Sequence, residues 1–194
     1  MRLFLAVDLA DSLRADVQQI TVALRQRLER LKHATRVGWL GPDRFHFTLV
    51  FIGEVSDAVA GDVKARFMAP LPVRPFVIHV GGLGMFPPGG RPRVIWLGVD
   101  EGADDMRRLH HEVLARLDGV PFARESRAFS PHLTLARFRE PGTISERQAL
   151  AEVRLPAAMR SPVDHVTLYQ SRLSPKGSIY TPLRQTPLSG EVLA

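Results

Sequence analysis

Two short stretches of the chain pair an imidazole with a hydroxyl two residues on: HFTL at 46–49 and HLTL at 132–135. Each lies in an otherwise apolar, strand-like run, RFHFTLVFIGEV and SPHLTLARF. Side chains on a strand alternate between faces, so His46 and Thr48 project together, about 7 Å apart, as do His132 and Thr134. The same alternation puts Phe45, Phe47, Leu49 and Phe51 on the core face, with Val50 and Ile52 opposite. Leu133 and Leu135 point inward in the second strand. A lone histidine on a strand is most often structural. Two copies 86 residues apart in a chain of 194 are not explained by packing, which gains nothing from a polar pair on an apolar strand. Histidine's ordinary pKa of about 6.5 lets one ring be neutral and another protonated near neutrality. Such a pair can act as general base and general acid, each worth roughly 10²–10⁴-fold. The hydroxyls can donate to an anion held between them. In-line displacement at phosphorus fits this set of groups and requires no metal.

The elements that must position these strands follow from periodicity and punctuation. LFLAVDL (3–9) reads as a strand, and Asp11-Ser12 opens an amphipathic helix to about Leu31, with Val17, Ile20, Leu24 and Leu28 at helical spacing. RVGWL is a short extended piece before strand 45–53. Ser56 or Asp57 caps a helix to about Phe67, ended by the proline-rich stretch 70–75. FVIHVGGLGMF (76–86) and RVIWLGV (93–99) are strands around the PPGGRPR loop. A helix at about 103–117 precedes strand 131–138, a short helix or loop at 144–153 follows, and 163–173 and 179–188 are extended. Each half of the chain thus offers a long helix and then an H-x-T-L strand. The expected fold is α+β. It has two pseudo-symmetric lobes, each an antiparallel-rich sheet with helices outside and the cleft between them. It forms one domain, 1–194, with repeats of roughly 1–100 and 101–194.

Composition narrows the field. A chain of this length buries a sufficient core without staples. No apolar run approaches the roughly 18 residues of a membrane helix. MRLFLAVDLADSLR meets Asp8 and Asp11 at once, so an N-terminal strand is expected there rather than a signal peptide. With no cysteine there is no thiolate nucleophile, disulfide or cysteine zinc site, and a cytoplasmic monomer is expected. The net charge is +6, carried by arginine, since only Lys32, Lys64 and Lys176 are lysines. A basic surface suits a polyanion, and it equally suits a solvated arginine-rich face.

The paired motifs and their flanks resemble the 2H phosphoesterases, in particular the bacterial and archaeal RNA 2′,3′-cyclic phosphodiesterase branch, also called 2′-5′ RNA ligases. The resemblance runs through MRLFLAVDL, GGLGMFP, RPRVIWLGV, SPHLTLARF and YTPL. It departs only at Phe47, where leucine is commoner. It implies hydrolysis of RNA 2′,3′-cyclic phosphate ends to 2′-phosphates, with no cofactor and no metal, and reversible 2′-5′ ligation as allowed chemistry. It implies His46 as proton donor to the O3′ leaving group, His132 as proton acceptor from water, and Thr48 and Thr134 as phosphate ligands. The expected partner is RNA with cyclic phosphate ends, tRNA halves among the candidates, and no membrane.

Arg137, five residues after His132, is a candidate substrate contact, although strict alternation aims it at the helix side unless a bulge redirects it. Arg91 and Arg93 in the glycine-rich loop are candidates for RNA backbone contacts or for a solvated hairpin tip. Tyr180 can stack a base or pack. His110-His111 lie about 100° apart on a helix and make no bidentate metal pair. His33, His79 and His165 show no partner pattern. Neither a G-x-S-x-G elbow nor a P-loop is present. Two other readings stay open: the same chemistry on a small cyclic nucleotide or ADP-ribose cyclic phosphate, and a non-catalytic nucleotide- or RNA-binding module.

Overall fold

A computed structural model describes residues 1–175 and 177–190. The chain is α+β. Apolar runs with turn punctuation become strands β1 (Arg2–Asp8), β2 (Val37–Trp39), β3 (His46–Glu54), β4 (Phe76–Phe86), β5 (Val94–Val99), β6 (His132–Phe138), β7 (Arg160–Val163), β8 (His165–Ser174) and β9 (Gly177–Pro187). The amphipathic stretches become helices α1 (Asp11–Glu29), α2 (Asp57–Arg66), α3 (Ala103–Arg116) and α4 (Ile144–Ala151). On α1 the stripe Leu13, Val17, Ile20, Leu24 and Leu28 is buried, each residue worth roughly 1.5–3 kcal/mol of apolar burial. Ser56 caps α2 by accepting from the Val59 amide at 3.3 Å. The segment 144–153, read as helix or loop, is helix because Thr143 and Glu146 form a capping box. Glu146 is buried and also accepts from the Thr35 amide at 2.6 Å, which ties the approach to β2 onto α4.

One continuous antiparallel sheet carries the strands in the order β7-β4-β5-β6-β3-β1-β8-β9, with β2 alongside β6. Its centre is narrow. Strands β3 and β6 meet at the single register pair Phe47↔Leu133. Beyond that joint β2 occupies the same edge of β6, pairing Val37↔Phe138 and Trp39↔Ala136. The sequence repeats strand–helix–strand–helix–strand as β1-α1-β3-α2-β4 and β5-α3-β6-α4-β8. The last strand of each unit crosses over, for β4 pairs with β5 and β8 with β1. Each half of the sheet therefore mixes strands from both ends of the chain. A core that includes Leu3, Leu5, Val7, Phe47, Leu97, Leu133, Leu135 and the helix stripes covers one side of the sheet. Among the described residues no helix is long and apolar enough to cross a membrane.

Candidate active site

Both H-x-T-L strands end their motif on a β-bulge. Against β1, Thr48 pairs with Ala6 and Val50 with Leu5, which leaves Leu49 as the extra residue. Against β5, Thr134 pairs with Trp96 and Ala136 with Ile95, which leaves Leu135 extra. A bulge slips the strand's phase by one residue. The core side therefore takes Phe45, Phe47 and Leu49 and then Val50 and Ile52, all buried. Phe51, expected inside by alternation, is 48% exposed, with the Arg2 guanidinium 4.9 Å above its ring. The second strand slips in the same way, burying Ala136 and Phe138 and leaving Arg137 exposed on the side of His132 and Thr134. The bulge that strict alternation lacked is present, and it redirects Arg137.

Upstream of the bulges the alternation holds. Phe47 and Leu133 are fully buried at the joint, so their neighbours His46, Thr48, His132 and Thr134 stand on the opposite, open side. Antiparallel continuation from Phe47↔Leu133 brings His46 towards Thr134 and Thr48 towards His132. Each imidazole is tethered by the backbone two residues earlier. His132 Nδ1 donates to the Ser130 carbonyl at 2.8 Å, and the His46 ring bonds the backbone of Arg44. A neutral imidazole that donates through Nδ1 keeps Nε2 as its acceptor.

Aromatic rings wall both histidines. His46 has Phe4 at 4.9 Å, Tyr180 edge-on at 5.2 Å and Tyr169 at 6.4 Å between centroids. His132 has Phe86 edge-on at 5.3 Å and Trp96 at 6.1 Å. The glycines of GGLG make the second wall possible. A Cβ at Gly84 would come within 2.1 Å of the Trp96 ring, so the indole lies across β4 where only glycine leaves room. Burial pushes the His46 pKa down to about 4, against the Arg44 backbone bond and the Asp8 charge, which favour its protonated form.

The sequence reading missed a third group, centred on Asp8. Its carboxylate stands opposite His46 in the β1–β3 ladder. It accepts from the Thr167 hydroxyl at 2.6 Å and the Tyr169 hydroxyl at 2.6 Å, and it pairs with His165 Nε2 at 3.3 Å. Burial raises the Asp8 carboxyl, but the bonds from His165, Thr167 and Tyr169 outweigh it and hold the group below its ordinary value. The Asp8 bond foremost, with Asp164 helping and burial opposing, lifts His165 to about 9. Burial and Asp8 push the Tyr169 hydroxyl upward. His165 thus has partners that the sequence did not suggest. The available signal was alternation in LFLAVDL, which puts Phe4, Ala6 and Asp8 opposite Leu3, Leu5 and Val7.

The remaining candidates divide. Tyr180 packs on Phe4 at 5.0 Å as well as on His46, so it belongs to the wall. Arg93 keeps an exposed side chain, while its backbone carbonyl accepts from the Phe138 amide at 2.9 Å. Arg91 donates to the Gly142 and Pro141 carbonyls at 2.8 and 2.9 Å, which fixes its guanidinium across the loop while the residue stays exposed. His79 also has a partner, Asp100 at 2.6 Å, and His110 stacks on Phe129 at 4.2 Å.

Two bulged His-x-Thr strands abutting at one joint, each imidazole tethered and walled by aromatics, define a two-histidine site on an α+β fold. The model of the 2′-5′ RNA ligase superfamily matches residues 9–174, and the chain belongs to that family. An Archaeoglobus fulgidus protein named RNA 2′,3′-cyclic phosphodiesterase is 34% identical over 188 residues, covering 95% of this chain and 98% of its own. One of the same name from Aeropyrum pernix is 38% identical over 145 residues, 73% of this chain and 80% of its own. The crystal structure of a Thermus thermophilus protein superposes with a TM-score of 0.77 at 30% identity, covering 98% of this chain and 100% of that one.

Proposed function

We propose that this chain is an RNA 2′,3′-cyclic phosphodiesterase that opens cyclic phosphate ends to 2′-phosphomonoesters by acid–base catalysis between two histidines. The observation that carries the reading is the joint at Phe47↔Leu133, which turns two His/Thr pairs to one open face from two different strands. The names of the relatives point to the same substrate. In the proposed step His132 takes a proton from water as its oxygen attacks phosphorus. The P–O3′ bond breaks, and O3′ leaves with the proton that His46 gives. Thr48 and Thr134 donate to the non-bridging oxygens, where charge grows. With a 5′-hydroxyl in place of water the same groups would form a 2′–5′ linkage. The reading takes the substrate as RNA ends, tRNA halves among them, met in the cytoplasm by a monomer.

The test is an oligoribonucleotide ending in a 2′,3′-cyclic phosphate, incubated with the protein in EDTA. The expected product is a 2′-phosphate, and the expected loss for His46→Ala or His132→Ala is at least about 100-fold with the fold intact. A 3′-phosphate product, abolition by EDTA, or full activity in either variant would overturn the reading.

A further inference from the structure

The two His-x-Thr strands differ at the position that faces the histidine across the ladder. Opposite His46, β1 carries Asp8, whereas opposite His132, β5 carries Gly98. Gly98 sits tightly, since a Cβ there would meet the Gly81 carbonyl oxygen at 3.1 Å and the Trp96 ring at 3.2 Å and one of them would have to shift. Both histidines have a backbone tether, an aromatic wall, a threonine two residues on and a bulge after it. In the ladder position directly opposite the imidazole they differ: a carboxylate stands beside His46 and bare backbone beside His132.

We propose that Asp8 is the positioning residue that makes His46 the proton donor, by fixing an anion beside that imidazole and not beside His132. This rests on the cyclic phosphodiesterase reading above. An in-line displacement needs one histidine protonated and its twin neutral. A fixed negative charge favours the protonated form of its neighbour. Asp8 is held for that purpose by hydroxyls from Thr167 and Tyr169. Its ion-pair partner His165 is shared with Asp164, so two carboxylates share one imidazolium.

The other groups around His46 do not substitute for Asp8. Arg14 on α1 opposes protonation, and the backbone of Arg44, in the short 3-10 turn Pro42–Arg44 before β3, favours it. Tyr169 of β8 and Tyr180 of β9 supply rings. Across the joint stand Thr134 and His132. In the unliganded protein burial wins, and His46 sits at about 4. The cyclic phosphate brings a second anion, and Asp8 then helps to hold the proton that O3′ must receive.

Asp8→Asn removes the charge and keeps one oxygen to accept from Thr167 or Tyr169, while its amide donates to the oxygen of the other hydroxyl. The limb of the kcat–pH profile that requires a protonated group should move down by about one unit, roughly a tenfold loss at neutral pH, with KM changed less than about threefold. In histidine-resolved NMR titrations the His46 midpoint should fall and that of His132 should stay. A substrate with sulfur at the 3′ position of the ring leaves without protonation, so the Asp8→Asn deficit should largely vanish on it. Asp8→Ser, smaller and still an acceptor, makes the same comparison if Asp8→Asn does not fold at the assay temperature. An unmoved limb, a shifted His132 midpoint, or an undiminished deficit on the thio substrate overturns the proposal while the functional reading stands. A wild-type protein inert towards cyclic phosphates overturns the functional reading first, and the proposal with it.

Discussion

Burying His46 should leave a measurable mark on stability, independent of any substrate. The ring's ordinary value of 6.5 falls to about 4 in the folded protein, chiefly because burial disfavours the imidazolium. Between these values the unfolded chain binds a proton that the folded chain refuses. Stability from this group is therefore complete above about pH 6.5, is lost as pH falls, and stops changing below about pH 4. At 1.36 kcal/mol per pKa unit the full swing would approach about 3 kcal/mol, and partial solvent access to the ring reduces that to about 2. His46→Gln removes the titration. Urea denaturation of wild type and variant at neutral pH and near pH 4.5 gives two stability differences, and protons bound by all other groups cancel between them. The variant should gain about 2 kcal/mol relative to wild type on acidification. A wild-type-minus-variant difference that stays constant across the two conditions refutes the claim that folding desolvates His46. It would also mean that the ring is available to a proton before substrate arrives.

Two further substitutions probe the walls and the open face. Gly84→Ala should displace the Trp96 indole, costing about 1–3 kcal/mol by overpacking. It should cost roughly 10–100-fold in kcat/KM, because the displaced ring borders His132. With only two tryptophans in the chain, a shift in emission reports the movement, and unchanged emission with unchanged kinetics refutes it. Arg137→Met should leave stability within about 0.5 kcal/mol, as befits an exposed side chain, while raising KM for RNA and lowering the salt slope by about one. A loss confined to kcat with an unaltered salt slope would refute a backbone-phosphate contact.

The order of strands and helices was legible because apolar periodicity and caps are local signals. The two H-x-T pairs were legible because His46 and Thr48, and their twins, lie upstream of any irregularity. What was not legible is non-local. The bulge at Leu49 is a mismatch with Leu5 and Ala6, more than forty positions away, and nothing within RFHFTLVFIGEV distinguishes it from a regular strand. So Phe51 was assigned to the core and Val50 and Ile52 to the open face, each inverted by one residue of slip. Asp8 was read only as a charge that ends an apolar run, since its donors Thr167 and Tyr169 lie about 160 positions later. The crossing of β4 and β8 between the halves is invisible for the same reason. The sequence repeats elements in order, and only pairing reveals where each goes.

On the proposed function, two like His-x-Thr strands must do two different jobs. Displacement at phosphorus asks the same residue, histidine, to give a proton on one side and take one on the other. A perfectly symmetric site would leave both imidazoles equivalent and the proton undirected. Here the shared features are those both sides need: a backbone tether that aims each ring, a threonine beside it, and a bulge that ends the regular strand. The unshared features sit where the two roles must differ. Asp8 faces Gly98 across the duplication, beside the two imidazoles. Past the bulges Phe51 answers Arg137, five residues after each histidine, so one arm of the open face carries an aromatic ring with Arg2 above it and the other a guanidinium alone. An RNA end is itself asymmetric, with a stacked base in one direction and a charged backbone in the other. A face with a ring on one arm and none on the other can distinguish those directions, as two matched arms could not. The residues in which the two strands differ are therefore those whose exchange should alter the direction and selectivity of the proposed reaction. Exchanging the histidines and threonines they share should abolish it.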